Sequence, residues 1–240
     1  MLREIDRDIW VAEQPLRYLG LNIGTRMTVL RLASRELVVI SPVQVSDAIV
    51  SQLGELGIVK HFIAPNLYHY LFAANFKTFY PNATFWAIPG LEIKKPDLLI
   101  DQIINDGENE LWSGIEYIFL DGFRTFGFSG FDSLNECVFF HAASRTLILT
   151  DAAFHFDESF PILTRLATKM LGGYKSLSPS LLERIATTEK RKVRKSIKQI
   201  LGWDCERVSM AHGSIIEQNG KEKFKRGYEK FLGEALDTAA

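Results

Sequence analysis

The chain has 240 residues, 47% of them apolar and 24% charged, with a net charge of −1. That composition fits a globular protein with a sizeable core and excludes a global attraction to nucleic acid or to an anionic membrane. No apolar run approaches the ~18 residues that a membrane span needs.

In chain order, Ile9-Trp10-Val11-Ala12 is a short apolar strand. Met27 to Leu32 and the β-branched Leu37-Val38-Val39-Ile40 are two more, joined as a hairpin through Ser34-Arg35-Glu36. Ser46 is placed to cap a helix over Asp47 to Leu56, with Ile49, Leu53 and Leu56 on one face and Gly57 as its stop. Lys60 to Ala64 is the next strand, so a crossover between parallel strands is expected. After Pro65 the pattern predicts a helix from Asn66 to about Phe76, then a strand from Thr84 to Ile88. The acid-rich stretch Asp97 to Asp121 reads as a solvated helix or loop ending in a strand, Ile115 to Leu120. Cys137–Phe140, Thr146–Thr150 and Arg207–Met210 read as strands, the first two joined by a tight turn over Ala142 to Arg145. Ser178-Pro179 reads as a helix start, serine capping and proline in the first turn. Helices follow over Glu189 to Leu201, with Val193, Ile197, Ile200 and Leu201 as the apolar stripe, and over Lys221 to Leu236. No repeat or interdomain linker interrupts residues 1–240, which read as one layered αβ domain.

The first residues, Met1-Leu2-Arg3-Glu4-Ile5-Asp6, lack the apolar run of a signal peptide. The two cysteines, Cys137 and Cys205, read as packed thiols in a reducing compartment. The expected setting is cytoplasmic, with no membrane partner.

Functional groups in layered folds sit in loops at strand ends, and three such places carry polar chemistry. Asn66 and His69 follow the strand ending at Ala64; Asn66 also reads as a helix cap. Asp151 ends a buried strand, where a carboxylate is well placed as a ligand or simply opens a polar loop. His155 lies four residues on. His141 lies one strand earlier and reads equally as a core histidine. His212-Gly213 ends the last strand, and the glycine lets the backbone turn and expose the imidazole. There is no H-E-x-x-H, phosphate-binding glycine loop, G-x-S-x-G or zinc-finger spacing. Ser129 and Ser133, in or beside a glycine-rich loop, show no signature of an activated nucleophile. Phe123, Phe126, Phe128, Phe131 and Phe154 read as core or as the wall of a partly apolar cleft.

Taken in order, these segments resemble the metallo-β-lactamase superfamily. There a strand ends in H-x-H-x-D-H, a later strand ends in a metal-bridging aspartate, and another ends in a last histidine. More narrowly, Ala64-Pro65-Asn66-Leu67-Tyr68-His69, Tyr80-Pro81-Asn82-Ala83, Ile88-Pro89-Gly90-Leu91, Glu136 to His141, Ser144 to Leu147 with Thr150-Asp151, and Ala211-His212-Gly213 are similar to the DUF4336 family. The resemblance implies an α/β fold, a four-layer αββα sandwich. It also implies metal ligands at His69, Asp151 and His212, with Asp151 catalytic. The dense histidine motif is reduced to Asn66 and His69. The middle histidine is missing, with Asp132, Glu136 and His141 as nearest candidates. Asn66, Glu136 and His141 are the additional candidate ligands.

Three functions stay open. One is a hydrolase using one divalent metal (zinc, manganese or iron) at a degenerate site. The second is a non-catalytic descendant, with no metal, that binds a small molecule or protein. The third, less favoured, is nucleic-acid binding through the basic helix face Lys190 to Lys198, a pattern that is usually a solvated face. Substrate and oligomeric state are not legible.

Overall fold

The computed structural model describes residues 1–107, 110–127 and 130–236. The first half contains β1 (Leu2–Asp6), β2 (Ile9–Gln14), the short hairpin β3 (Arg17–Tyr18) and β4 (Leu21–Asn22), then β5 (Thr25–Arg31) and β6 (Glu36–Ile40). Helix α1 (Asp47–Leu56) leads to β7 (Ile58–Ala64), α2 (Ala73–Phe79) to β8 (Thr84–Ala87), and α3 (Leu91–Lys94) to β9 (Gln102–Ile103). The second half contains β10 (Glu110–Trp112), β11 (Ile115–Phe119), a hairpin of β12 (Arg124–Gly127) and β13 (Gly130–Ser133), β14 (Cys137–His141) and β15 (Thr146–Ile148). Helices α4 (Ile162–Leu171), α5 (Leu181–Ala186) and α6 (Lys190–Ile200) precede β16 (Arg207–Ser209) and α7 (Gly220–Leu232).

Two main sheets form, in the orders β1-β2-β5-β6-β7-β8-β9 and β10-β11-β14-β15-β16. Strands β6, β7, β8 and β9 run parallel, with α1 and α2 in the crossovers between them. Alternation along β14 explains the layering, because successive side chains point to opposite faces. Cys137 and Phe139 enter the core shared with the first sheet, α1 and α2. Val138 and Phe140 enter a second core, covered by Val193, Ile197 and Ile200 of α6 and by Phe224, Tyr228 and Phe231 of α7. The result is helix, sheet, sheet, helix: the four-layer αββα sandwich. Each fully buried large apolar side chain contributes about 1.5–3 kcal/mol. Cys137 and Cys205 are free thiols buried in different cores.

Three expectations change. Helix α2 begins at Ala73 rather than Asn66, and residues 67–72 form turns. Ser178 caps no helix, because its backbone N–H and C=O both bond Phe154. Ser180 caps α5 instead, in a capping box with Glu183, an S-x-x-E pattern visible in the sequence. The acid-rich stretch, expected as a solvated helix or loop, holds the short strands β9 and β10. Phe128 and Ser129 lie outside the described residues.

Two helical glycines separate propensity from packing. Gly54 of α1 is exposed, and a Cβ there meets nothing within 4 Å. Gly227 of α7 lies against the Leu177 carbonyl, which a Cβ would strike. Gly54→Ala is therefore expected to stabilise the chain by about 0.5–1 kcal/mol. Gly227→Ala is expected to destabilise it by at least ~2 kcal/mol through overpacking. Urea unfolding of both variants against the parent checks the opposite signs.

Candidate metal centre

Strand register brings the distant polar residues together. Strands β15 and β16 are parallel, with Ile148 opposite Ser209. Asp151 and His212 each lie three residues further on, so they emerge side by side. Strand β14 is antiparallel to β15, with Phe139 opposite Ile148. Continuing that register sets Glu136 against Asp151. The first sheet contributes its part from the ends of β6 and β7, where Ile40 pairs with Ile63. Ser41 follows β6 directly, and Asn66 and His69 lie just past β7.

The centre is His69, Asp151 and His212, whose ligand-capable atoms all lie within 4.8 Å of one another. His69 Nε2 is 3.2 Å from Asp151 Oδ2, and His212 Nε2 is 3.4 Å from Asp151 Oδ1. The carboxylate thus divides its two oxygens between the imidazoles. The Asp151 side chain is 17% exposed, against 9% and 7% for the histidines, so the aspartate is the least buried of the three.

The groups behind the centre fix its geometry. His212 Nδ1 donates to the Gly24 carbonyl at 2.5 Å, because a carbonyl can only accept. In the neutral ring this leaves the Nε2 lone pair facing the centre. His69 Nδ1 and Ser41 Oγ are 2.6 Å apart. Asn66 Oδ1 accepts the backbone N–H groups of Tyr68 and His69, both at 2.8 Å. Asn66 therefore caps the tight turn that carries His69, instead of capping a helix. Its Nδ2 faces Asp151 Oδ2 and Thr150 Oγ1 at 2.9 Å and Glu136 Oε2 at 3.1 Å.

Glu136 is fully buried. Its Oε1 accepts the Thr150 N–H and its Oε2 the Asp151 N–H, both at 2.7 Å. With Asn66 also bonded, Glu136 holds the end of β15 and does not point a free oxygen at the centre. Burial pushes its carboxyl up, reinforced by the Asp151 charge and opposed by these donors. Burial would also raise Asp151, but the charges and hydrogen bonds of His69 and His212 win and hold it far below the usual carboxylate range. Burial pulls His69 down, and Asp151 more than offsets this to leave it raised.

The His212 turn is secured from two sides. Arg26, buried, donates to the Met210 carbonyl and, at 2.7 Å, to the Gly213 carbonyl, while its Nε bonds Glu13. Gly213 has φ +95°, and a Cβ there would strike the His155 carbonyl. The expected sharp turn at Gly213 is present, but it does not expose the imidazole, because His212 is buried.

His141 does not reach the centre. It pairs with Thr146 at the far end of β15, bonds Ser144 Oγ at 2.7 Å, and lies in the field of Asp6 and Asp8. Five strand residues separate Thr146 from Asp151, about 16 Å at 3.3 Å each. His155 stands beside the Gly213 turn, its Nδ1 donating to the Ser214 carbonyl at 3.2 Å, outside the cluster. Asp132 accepts from the Tyr68 hydroxyl at 3.1 Å. Of the aromatics, Phe123 is core and Phe126 and Phe131 are exposed, while the Phe154 ring lies 6.3 Å from that of His212. Ser41, Gly24 and Arg26 were not anticipated. Ser41 alone carried a usable signal, a polar residue directly after a buried strand.

The family profile described as a domain of unknown function, DUF4336, matches residues 6–178. The chain belongs to the DUF4336 family. No curated protein matches it in sequence. Among solved structures it is similar to the DIM-1 metallo-β-lactamase, with a TM-score of 0.66 at 12% identity over 96% of both chains. It is also similar to a metallo-β-lactamase from Pontibacter korlensis, with a TM-score of 0.63 at 10% identity over 95% of this chain and 98% of that one. A third likeness is to FIM-1 from Pseudomonas aeruginosa in its mono-zinc form, with a TM-score of 0.62 at 9% identity over 97% and 96% of the two chains. At these identities the likeness establishes the metallo-β-lactamase fold.

Removing the buried clamp tests whether it holds the centre's frame. Glu136→Ala leaves two backbone N–H groups without their acceptor, at about 1–3 kcal/mol each. A loss of about 2–6 kcal/mol in urea unfolding is expected. A loss below ~1 kcal/mol would show that water replaces the carboxylate without penalty.

Proposed function

We propose that residues 1–240 form one domain of a metal-dependent hydrolase, in which His69, Asp151 and His212 hold a single divalent ion. The observation that carries this reading is the convergence of two imidazoles and one carboxylate on one point. Two imidazoles and a carboxylate are a donor set that takes zinc, manganese or iron, and a catalytic zinc keeps about three protein ligands and one open position. Two acidic residues, Asp151 and Glu136, lie side by side there, and a cation would offset their repulsion. When bound, such an ion polarises a carbonyl or phosphoryl group and lowers the pKa of water at the open position.

This chain's own residues supply orientation. Gly24 sets the His212 tautomer, Ser41 sets the His69 ring, and Asn66 locks one Asp151 oxygen. Such outer partners fix ring orientation and ligand basicity. Asp151, ionised and the most exposed of the three, is the group placed to orient a reacting water. Asn66 stands where the superfamily's motif supplies more ligands, and its amide is already committed to three acceptors. This supports one ion rather than a pair.

Protein purified without chelators, or reloaded with zinc, manganese or iron, is expected to hold about one ion per chain. Asp151→Asn and His212→Ala should lose it while keeping the circular dichroism of the parent. Wild-type protein that takes up none of the three metals would overturn the reading and leave the non-catalytic binder. Arg26→Met touches no ligand but frees the His212 turn. It is expected to weaken metal binding about 10–100-fold, measured by competition with a chromogenic chelator.

A further inference from the structure

Helix α4 is turned inside out. Its buried side chains are Thr164 and Thr168, at 0% and 8% exposure. Its apolar ones face outward: Ile162 and Leu163 at 70%, Leu166 at 52% and Met170 at 81%. The threonines are satisfied inside, Thr164 Oγ1 donating to the Asn22 carbonyl at 3.0 Å and Thr168 Oγ1 to the Thr164 carbonyl at 2.8 Å. The Thr164 bond ties α4 to the β3–β4 hairpin, the Thr168 bond lies within the helix, and the outward apolar face is not covered by any of the described residues.

The surrounding elements extend that face. Leu181 and Ile185 of α5 are exposed, as are Tyr18 and Leu19 of the β3–β4 hairpin and Phe126 and Phe131 of the β12–β13 hairpin. Tyr18 OH donates to the Phe126 carbonyl at 3.2 Å, and Thr125 Oγ1 donates to Glu183 of α5 at 3.2 Å, so these elements adjoin. Ten of the sixteen exposed large apolar side chains among the described residues fall on these two helices and two hairpins. Concentration of this kind marks an interaction surface rather than ordinary scatter.

Charge identifies the occupant. Helices α4 and α5 carry Arg165, Lys169 and Arg184, and their single acid, Glu183, is buried. A cleft of about 160 Å³ between α4, α5 and α7 is bordered by Met170 and Leu181 and by the cations Lys169, Arg184 and Lys230. A second copy of the chain would set like charges against each other across a two-fold interface. Apolar side chains projecting between cations suit an anionic bilayer, in which the former enter the acyl boundary and the latter meet headgroups.

We infer that this face docks the protein on an anionic lipid membrane surface. The attachment is peripheral; no helix among the described residues is long and apolar enough to cross a membrane. It sets the His69–Asp151–His212 centre beside the lipid, because Asn22 accepts from α4 while Gly24, two residues on, accepts from His212.

Cosedimentation of the full chain with phosphatidylglycerol–phosphatidylcholine vesicles tests this without turnover, so it stands or falls apart from the metal reading. Binding is expected to require phosphatidylglycerol and to weaken as salt rises. The exposed double variant Leu163→Asp/Leu166→Asp should reduce it more than ~10-fold, and Lys169→Glu/Arg184→Glu by a similar factor. Circular dichroism checks that each variant is folded. The inference is overturned if wild type stays in the supernatant, binds phosphatidylcholine alone equally well, or binds no better than the variants. It is also overturned if light scattering finds a dimer that Leu166→Asp converts to monomer.

Discussion

A single buried carboxylate holds the candidate centre together. Glu136 accepts the N–H groups of two consecutive residues at the end of β15, and the second of these is Asp151. Where the backbone leaves the ladder, its N–H groups need new partners, and an unpaired one in the interior is costly. Glu136 meets that need and so determines where the Asp151 side chain points. The same carboxylate creates a problem, since it sets a second acid against Asp151. Asn66 bridges the two with its amide, and the histidines draw the Asp151 charge outward. The arrangement of the centre follows from reconciling these two acids.

Much of this was visible in the residues and some was hidden by strand direction. Asp151 and His212 were legible because each directly follows a β-branched or apolar run, the position at which a sheet delivers polar groups. The same rule applied to Ile40-Ser41 would have found the hydroxyl that sets His69. His141 misled because it too follows a strand. Only the antiparallel pairing of β14 with β15 shows that its end lies at the opposite rim, while Glu136, at the start, lies at the centre. Asn66 was read as a helix cap, and it does accept backbone N–H groups as a cap would. The same bonds also close an isolated turn, and no local signal separates the two.

Global composition hid the surface. A net charge of −1 sums acids and bases over the whole chain and carries no record of where on the surface they lie. Periodicity also failed to anticipate α4. Its apolar spacing is that of an ordinary amphipathic helix, whose apolar stripe faces the core. Only the burial of Thr164 and Thr168 reveals that the polar stripe faces inward.

The centre draws on both sheets: Ser41, Asn66 and His69 follow strands of the first, Asp151 and His212 strands of the second. Neither half of the chain can assemble it alone. It therefore forms only when the two sheets are docked, and comes apart as soon as they separate. Any ligand that engages both sides acts as a non-covalent cross-link between the halves. Its binding free energy is added to the docking of the sheets rather than to either sheet by itself.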